Sequence, residues 1–157
     1  WSAQYRGGFP PTASPRALEL SDQVMQRMQD PVRMESALQQ RISCCDILGL
    51  EMSPEMIAHV IETIRYAQSI AKDVDIVVMP QNQDIVHVSP QGEENFKKAL
   101  AEVVAATGVD VVDIYKEPYL GIEYFFDADH YTFFKGRSKV TQMMADHYLP
   151  QEEKETH

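Results

Sequence analysis

The chain has 157 residues, 44% of them hydrophobic, enough for one domain with a real core and too apolar for wholesale disorder. With 24 acidic residues against 14 basic ones the net charge is −10, and no stretch gathers enough Lys and Arg to follow a phosphate backbone, so no nucleic-acid partner is expected. No apolar run approaches the roughly 20 residues of a membrane-spanning helix and no signal-peptide pattern is present; the opening on Trp1 suggests a processed or excised product whose localisation stays open.

Residues 1–15, with three prolines and the pair Gly7-Gly8, are expected to be an extended arm. Residues 16–52 are expected to form a helical segment. Leu18, Leu20, Val24, Met25 and Met28 recur at near-helical spacing, Pro31 acts as the stop, and a weaker helix follows over 32–42. This methionine-rich stripe is read as core packing. Cys44 and Cys45 are adjacent, a spacing that strains a mutual disulfide and matches no zinc or redox pattern, so they read as small apolar side chains near a core. Residues 42–50 offer a weak third strand, interrupted by Cys44, Cys45, Asp46 and Gly49.

The α/β rhythm runs over residues 53–149. Ser53, Pro54 and Glu55 combine an N-cap hydroxyl, a proline where a missing N–H costs nothing, and an acid in the first turn. Behind them Ile57, Val60, Ile61, Ile64 and Ala67 make one apolar stripe, predicting a helix to about residue 71. Residues 74–79 are a β-branched, nearly continuous apolar run closed by Pro80, the composition of a parallel strand covered on both faces. Ser89 and Pro90 start another helix with Phe96, Leu100, Val103 and Val104 facing inward and Gly108 at its C-cap. A second strand is predicted over 109–115. A long loop with Pro118 and Gly121 leads to a closing helix over 136–148, with Val140, Met143, Met144 and His147 at helical spacing.

This alternation predicts an α/β fold, a parallel sheet flanked by helices in three layers. Two strands do not make a stable sheet, so the sheet is expected to be incomplete in this chain and finished by hidden N-terminal strands, a partner chain or a missing N-terminal segment. Residues 150–157 are expected to be a charged, frayed tail.

In open parallel sheets ligands bind beyond the carboxyl ends of the strands, which here feed loops 80–88 and 116–135. Polar residues concentrate there, among them Asn82 and His87 in the first loop and Asp127, Asp129 and His130 in the second. Asp127 and His130 lie three residues apart, so across a turn the carboxylate can accept a bond from one imidazole nitrogen and leave the other free. The same residues also suit a turn whose carboxylate caps the last helix. A metal site is the third option, since Ala-Asp-His occurs at both 128–130 and 145–147, but no H-x-x-H or H-E-x-x-H pattern supports one and no metal or cofactor is assigned. Tyr131 belongs to an aromatic cluster around the pair. With Asn82 and His87 it is a candidate substrate-binding residue.

The block Asp127-Ala128-Asp129-His130, followed by Gly136 and an amphipathic helix, resembles the last conserved block of the SGNH (GDSL-like) hydrolase and acyltransferase superfamily. There an Asp and a His three residues apart precede the helix that closes the domain. The helix and strand order from Ser53 onward, and the Val78-Met79-Pro80 strand end, are similar too, so the resemblance covers about the last half of the chain. It is most like bacterial branches that move acyl groups onto or off cell-envelope polymers. The resemblance implies an SGNH/flavodoxin-like fold and a serine ester hydrolase or O-acyltransferase acting on an acyl ester or glycan, in the cell envelope or another extracytoplasmic location. It makes His130 the general base, Asp127 its orienting partner and Asp129 a bystander. The family's Gly-Asp-Ser block is absent, Ser14, Ser21, Ser36, Ser43 and Ser53 lack its context, and Asn82 follows the wrong strand to be the oxyanion asparagine. The serine is therefore expected in sequence absent from this chain or in another chain. The alternative is a catalytically silent α/β module that binds a glycan or a partner protein.

Overall fold

A computed structural model describes residues 15–115, 118–132 and 134–149. The arm expected over 1–15, apart from Pro15, and the tail expected over 150–157 lie outside the described residues. The elements are α1 (Pro15–Met28), α2 (Pro31–Cys45), α3 (Pro54–Ile70), β1 (Asp75–Val78), α4 (Pro90–Thr107), β2 (Asp110–Asp113), a 3-10 turn (Ile122–Tyr124) and α5 (Lys135–Tyr148). The protein is thus a mixed α/β chain, mostly helical, with a small parallel sheet among the described residues.

Local hydrogen bonds explain most helix ends. The Asp30 carboxylate accepts from the N–H groups of Val32 and Arg33, so Pro31 both stops α1 and opens α2, where its missing N–H costs no bond. The Ser53 hydroxyl accepts from Met56 N at 3.2 Å and the Ser89 hydroxyl from Gly92 N at 2.9 Å, starting α3 and α4. Gly108 closes α4 in the left-handed region at φ 66°. The weak strand over 42–50 does not form, because α2 continues to Cys45 and Asp46 turns the chain at φ 46°. Nor are the cysteines near a core: both are exposed, and they pair with each other as a vicinal disulfide. Ile47 and Leu48, just beyond the turn, supply the buried apolar contacts instead.

β1 and β2 pair in parallel through the α4 crossover, with Asp75 opposite Asp110 and Val78 opposite Asp113. Successive side chains of a strand point to opposite faces. Ile76 accordingly packs with the cluster that α3 and α4 form around Ile57, Ile64, Ala99 and Val103, while Val77 and Val112 pack with Val140 and Met143 of α5. Only Val78 of β1 is buried, whereas Ile76 and Val77 are half-buried, against the expectation of a strand covered on both faces. The reason is the sheet's width. Among the described residues β1 has a strand partner on one edge only, and a groove of about 720 Å³ opens beside Ile76, Val78, Phe96 and Leu100. No helix among the described residues is long and apolar enough to cross a membrane.

Gly136 sits where α5 presses on the 3-10 turn. A Cβ there would lie 2.1 Å from the Tyr124 carbonyl oxygen, a backbone atom that cannot swing aside, and 3.1 Å from Thr132 Oγ1. Gly136→Ala is expected to destabilise the protein by about 3 kcal/mol, lowering the thermal midpoint by several degrees. Gly108→Ala, whose Cβ would meet nothing within 4 Å, should cost only the left-handed backbone penalty of about 1 kcal/mol. Equal losses in a melting experiment would refute this account of Gly136.

Candidate functional site

Beyond β1 the chain passes Pro80 into a loop anchored by Asn82, which has no exposed surface. Its backbone N–H donates to the Ala128 carbonyl at 2.9 Å and its Nδ2 donates to the Asp127 carbonyl at 3.1 Å. Its Oδ1 accepts from Asp84 N at 3.2 Å within its own loop, so the buried amide braces the first loop while its nitrogen ties it to the second. The Tyr131 hydroxyl adds a third tie, donating to the Pro80 carbonyl at 2.7 Å. Burial pushes the Tyr131 phenol up to about 12, so it remains a protonated donor at neutral pH.

The segment 125–131 folds back on itself. Phe125 and Tyr131 form an antiparallel bridge with their rings 5.0 Å apart, and Phe126 N donates to the His130 carbonyl at 2.7 Å. Asp127, Ala128 and Asp129 occupy the tip. Ala128 is wholly buried against Ile47 and Val86, a cluster on which Leu38 and Ile42 of α2 also pack. The site loop is therefore held from below by apolar contacts and from the side by Asn82.

At the tip the Asp127 carboxylate does two jobs. Oδ1 accepts from the backbone N–H groups of Asp129 at 3.0 Å and His130 at 2.9 Å, an Asx turn that short carboxylates favour. Oδ2 lies 2.8 Å from His130 Nδ1. The carboxylate thus caps its own turn rather than the last helix, whose N-cap position is Phe134 with no side-chain bond. The imidazole is 69% exposed and the Asp127 side chain 20%, so the ring is held at Nδ1 and borders an open cleft of about 530 Å³. Val24, Phe126, Tyr131 and Arg137 border that cleft beside the pair.

Asp129 is no bystander. Its Oδ2 makes an ion pair with Arg41 of α2, and its Oδ1 lies 3.3 Å from His130 Nδ1. That Oδ1 is buried and accepts no hydrogen bond among the described residues. Asp127, Asp129 and His130 could together hold a cation, their ligand atoms all lying within 4.8 Å of one another. Yet Asp127 already engages Nδ1 and Arg41 already neutralises Asp129, which suits an oriented imidazole better than a metal needing four free donors. His147 stays apart from this group, its ring stacked edge-on against Tyr148 of α5.

Of the three residues expected to bind substrate, only Tyr131 borders the cleft. Asn82 is too deeply buried to touch a ligand and acts by positioning the 127–130 turn. His87 is exposed on its loop and does not line the cleft. Its charged neighbour Asp84 accepts from the Tyr119 hydroxyl and from Ile122 N, bonds that hold that carboxyl below its usual range. The cleft residues whose side chains the structure describes include no serine, threonine or cysteine. Sequence reasoning missed Arg41, which no spacing rule connects to a residue 88 positions away. No family model, no curated protein and no solved structure matches this chain.

Proposed function

We propose that His130 and Asp127 are the general base and its orienting carboxylate in an SGNH-like serine ester hydrolase or O-acyltransferase, acting on acyl esters of a glycan or cell-envelope polymer. The observation that carries this reading is the 2.8 Å contact from Asp127 Oδ2 to His130 Nδ1 at the edge of an open cleft. A carboxylate on Nδ1 keeps the proton on that nitrogen, so Nε2 presents its lone pair. A serine hydroxyl placed within about 3 Å of Nε2 would lose its proton to the ring as its oxygen attacks the acyl carbon, and the imidazolium would return that proton to the leaving alkoxide. In this reading the serine and the oxyanion donors come from outside the described residues. The two strands with their flanking helices are then the edge of a wider three-layer sheet.

A second reading is a silent module that binds a glycan, for which the open cleft bordered by the Phe126 and Tyr131 rings and Arg137 offers a face. Release of p-nitrophenol from p-nitrophenyl acetate by the intact protein from its native cells separates the two. Turnover by the wild type that His130→Ala abolishes is expected. No turnover, together with retention of the protein on immobilised cell-wall glycan, would establish the silent module.

A further inference from the structure

Two carboxylates crowd one nitrogen of His130. Asp127 Oδ2 lies 2.8 Å from Nδ1 in hydrogen-bonding position, and Asp129 Oδ1 lies 3.3 Å from the same atom without accepting a hydrogen bond. A carboxylate beside an imidazole favours its cationic form, and an imidazolium cannot accept a proton. A base in this position therefore needs one of the two charges cancelled. Arg41 is placed to do so, reaching from α2 to the other oxygen of Asp129 across 88 residues of sequence. Among the described residues Arg137 of α5 and the Tyr131 phenol, which burial keeps protonated, also border the cleft.

We infer that Arg41 is a positioning residue for His130: by pairing with Asp129 it leaves Asp127 as the single carboxylate engaged with Nδ1, the arrangement in which the ring can accept a proton at Nε2. The inference rests on the proposed role of His130 as a base, but the charge relation is local and can be read without any substrate. Arg41 also fixes geometry, because a guanidinium nitrogen bonded to Oδ2 holds the Asp129 carboxylate, whose Oδ1 accepts no hydrogen bond. With Arg41 gone, Asp129 is free to rotate and compete with Asp127 for the Nδ1 proton.

The test is long-range ¹H–¹⁵N spectroscopy of the imidazole rings in the full chain at neutral pH, read beside p-nitrophenyl acetate turnover by the intact protein. The wild type is expected to show His130 as the neutral ring with its proton on Nδ1. Arg41→Gln should move the His130 nitrogens to the imidazolium pattern at the same pH and lower turnover about tenfold, with the lost rate recovered as pH is raised. Arg41→Lys, which keeps the charge, should retain the neutral ring, and Asp129→Asn added to Arg41→Gln should bring it back. That reversal by a second substitution is not expected of a residue that merely braces α2. A neutral ring in folded Arg41→Gln protein would overturn the role given to Arg41. If the nitrogen shifts follow this pattern while no protein turns over ester, the charge relation stands and the hydrolase reading falls.

Discussion

Asp127→Asn is expected to cut acyl-ester turnover about ten-thousandfold, the cost of a wrong imidazole tautomer in a related triad. The geometry says how. Oδ1 of Asp127 holds the turn by accepting from the N–H groups of Asp129 and His130, and an amide oxygen can keep both bonds. The amide nitrogen must then take the place of Oδ2, 2.8 Å from His130 Nδ1, where it offers protons instead of accepting one. Oδ1 also lies 3.0 Å from Nδ1 but already accepts two backbone N–H groups, so the amide N–H at the shorter contact favours Nδ1 as an acceptor, and with the proton on Nε2 the ring has no lone pair to offer a serine hydroxyl. His130→Ala should remove nearly all turnover by deleting the base itself. Neither change should move the melting temperature much, since the imidazole is 69% exposed and the Asn preserves the turn. Steady-state rates beside thermal melts decide this, and a wild-type rate in folded His130→Ala protein would end the proposed mechanism.

Phe125→Ala is expected to have the largest effect on stability, about 3–5 kcal/mol. Phe125 has no exposed surface and sits among Val112, Ile114, Leu120, Val140 and Met143, the cluster that joins the end of the sheet to α5. Its ring also lies 5.0 Å from that of Tyr131, and its backbone bridges the same residue. Truncation leaves a cavity that backbone tied on both sides cannot collapse to fill. At 2–4 °C per kcal/mol for a chain of this size, the thermal midpoint should fall by about 10 °C. The damage should also reach the site, because Phe125 and Tyr131 form the base of the loop carrying Asp127 and His130. A midpoint within about 2 °C of the wild type would show that the cluster repacks freely.

Helix starts and strand runs were legible in the sequence because the forces that make them are local. Ser53 and Ser89 each satisfy an N–H group three residues ahead, and the runs 74–79 and 109–115 contain the four-residue strands β1 and β2. The contact between Asp127 and His130 was legible for the same reason, a three-residue separation closed by a turn that one carboxylate can cap. What local spacing cannot convey is which distant chain covers a residue. Cys44 and Cys45 looked apolar enough for a core, yet α2 turns toward the interior through Met34, Leu38 and Ile42 and leaves both sulfurs outside. Asn82 looked like a ligand-binding loop residue, yet the loop at 127–130 closes over it and takes up its bonds. Arg41 carried no signal, since an ion pair across 88 residues depends on how α2 docks against the Ile47, Val86 and Ala128 cluster. The sequence by itself determined the elements and one hydrogen-bonded acid and histidine. Tertiary packing alone decided which groups are buried and which charges surround that histidine, because burial and electrostatic neighbours are set by long-range contacts that hydrophobic periodicity does not encode.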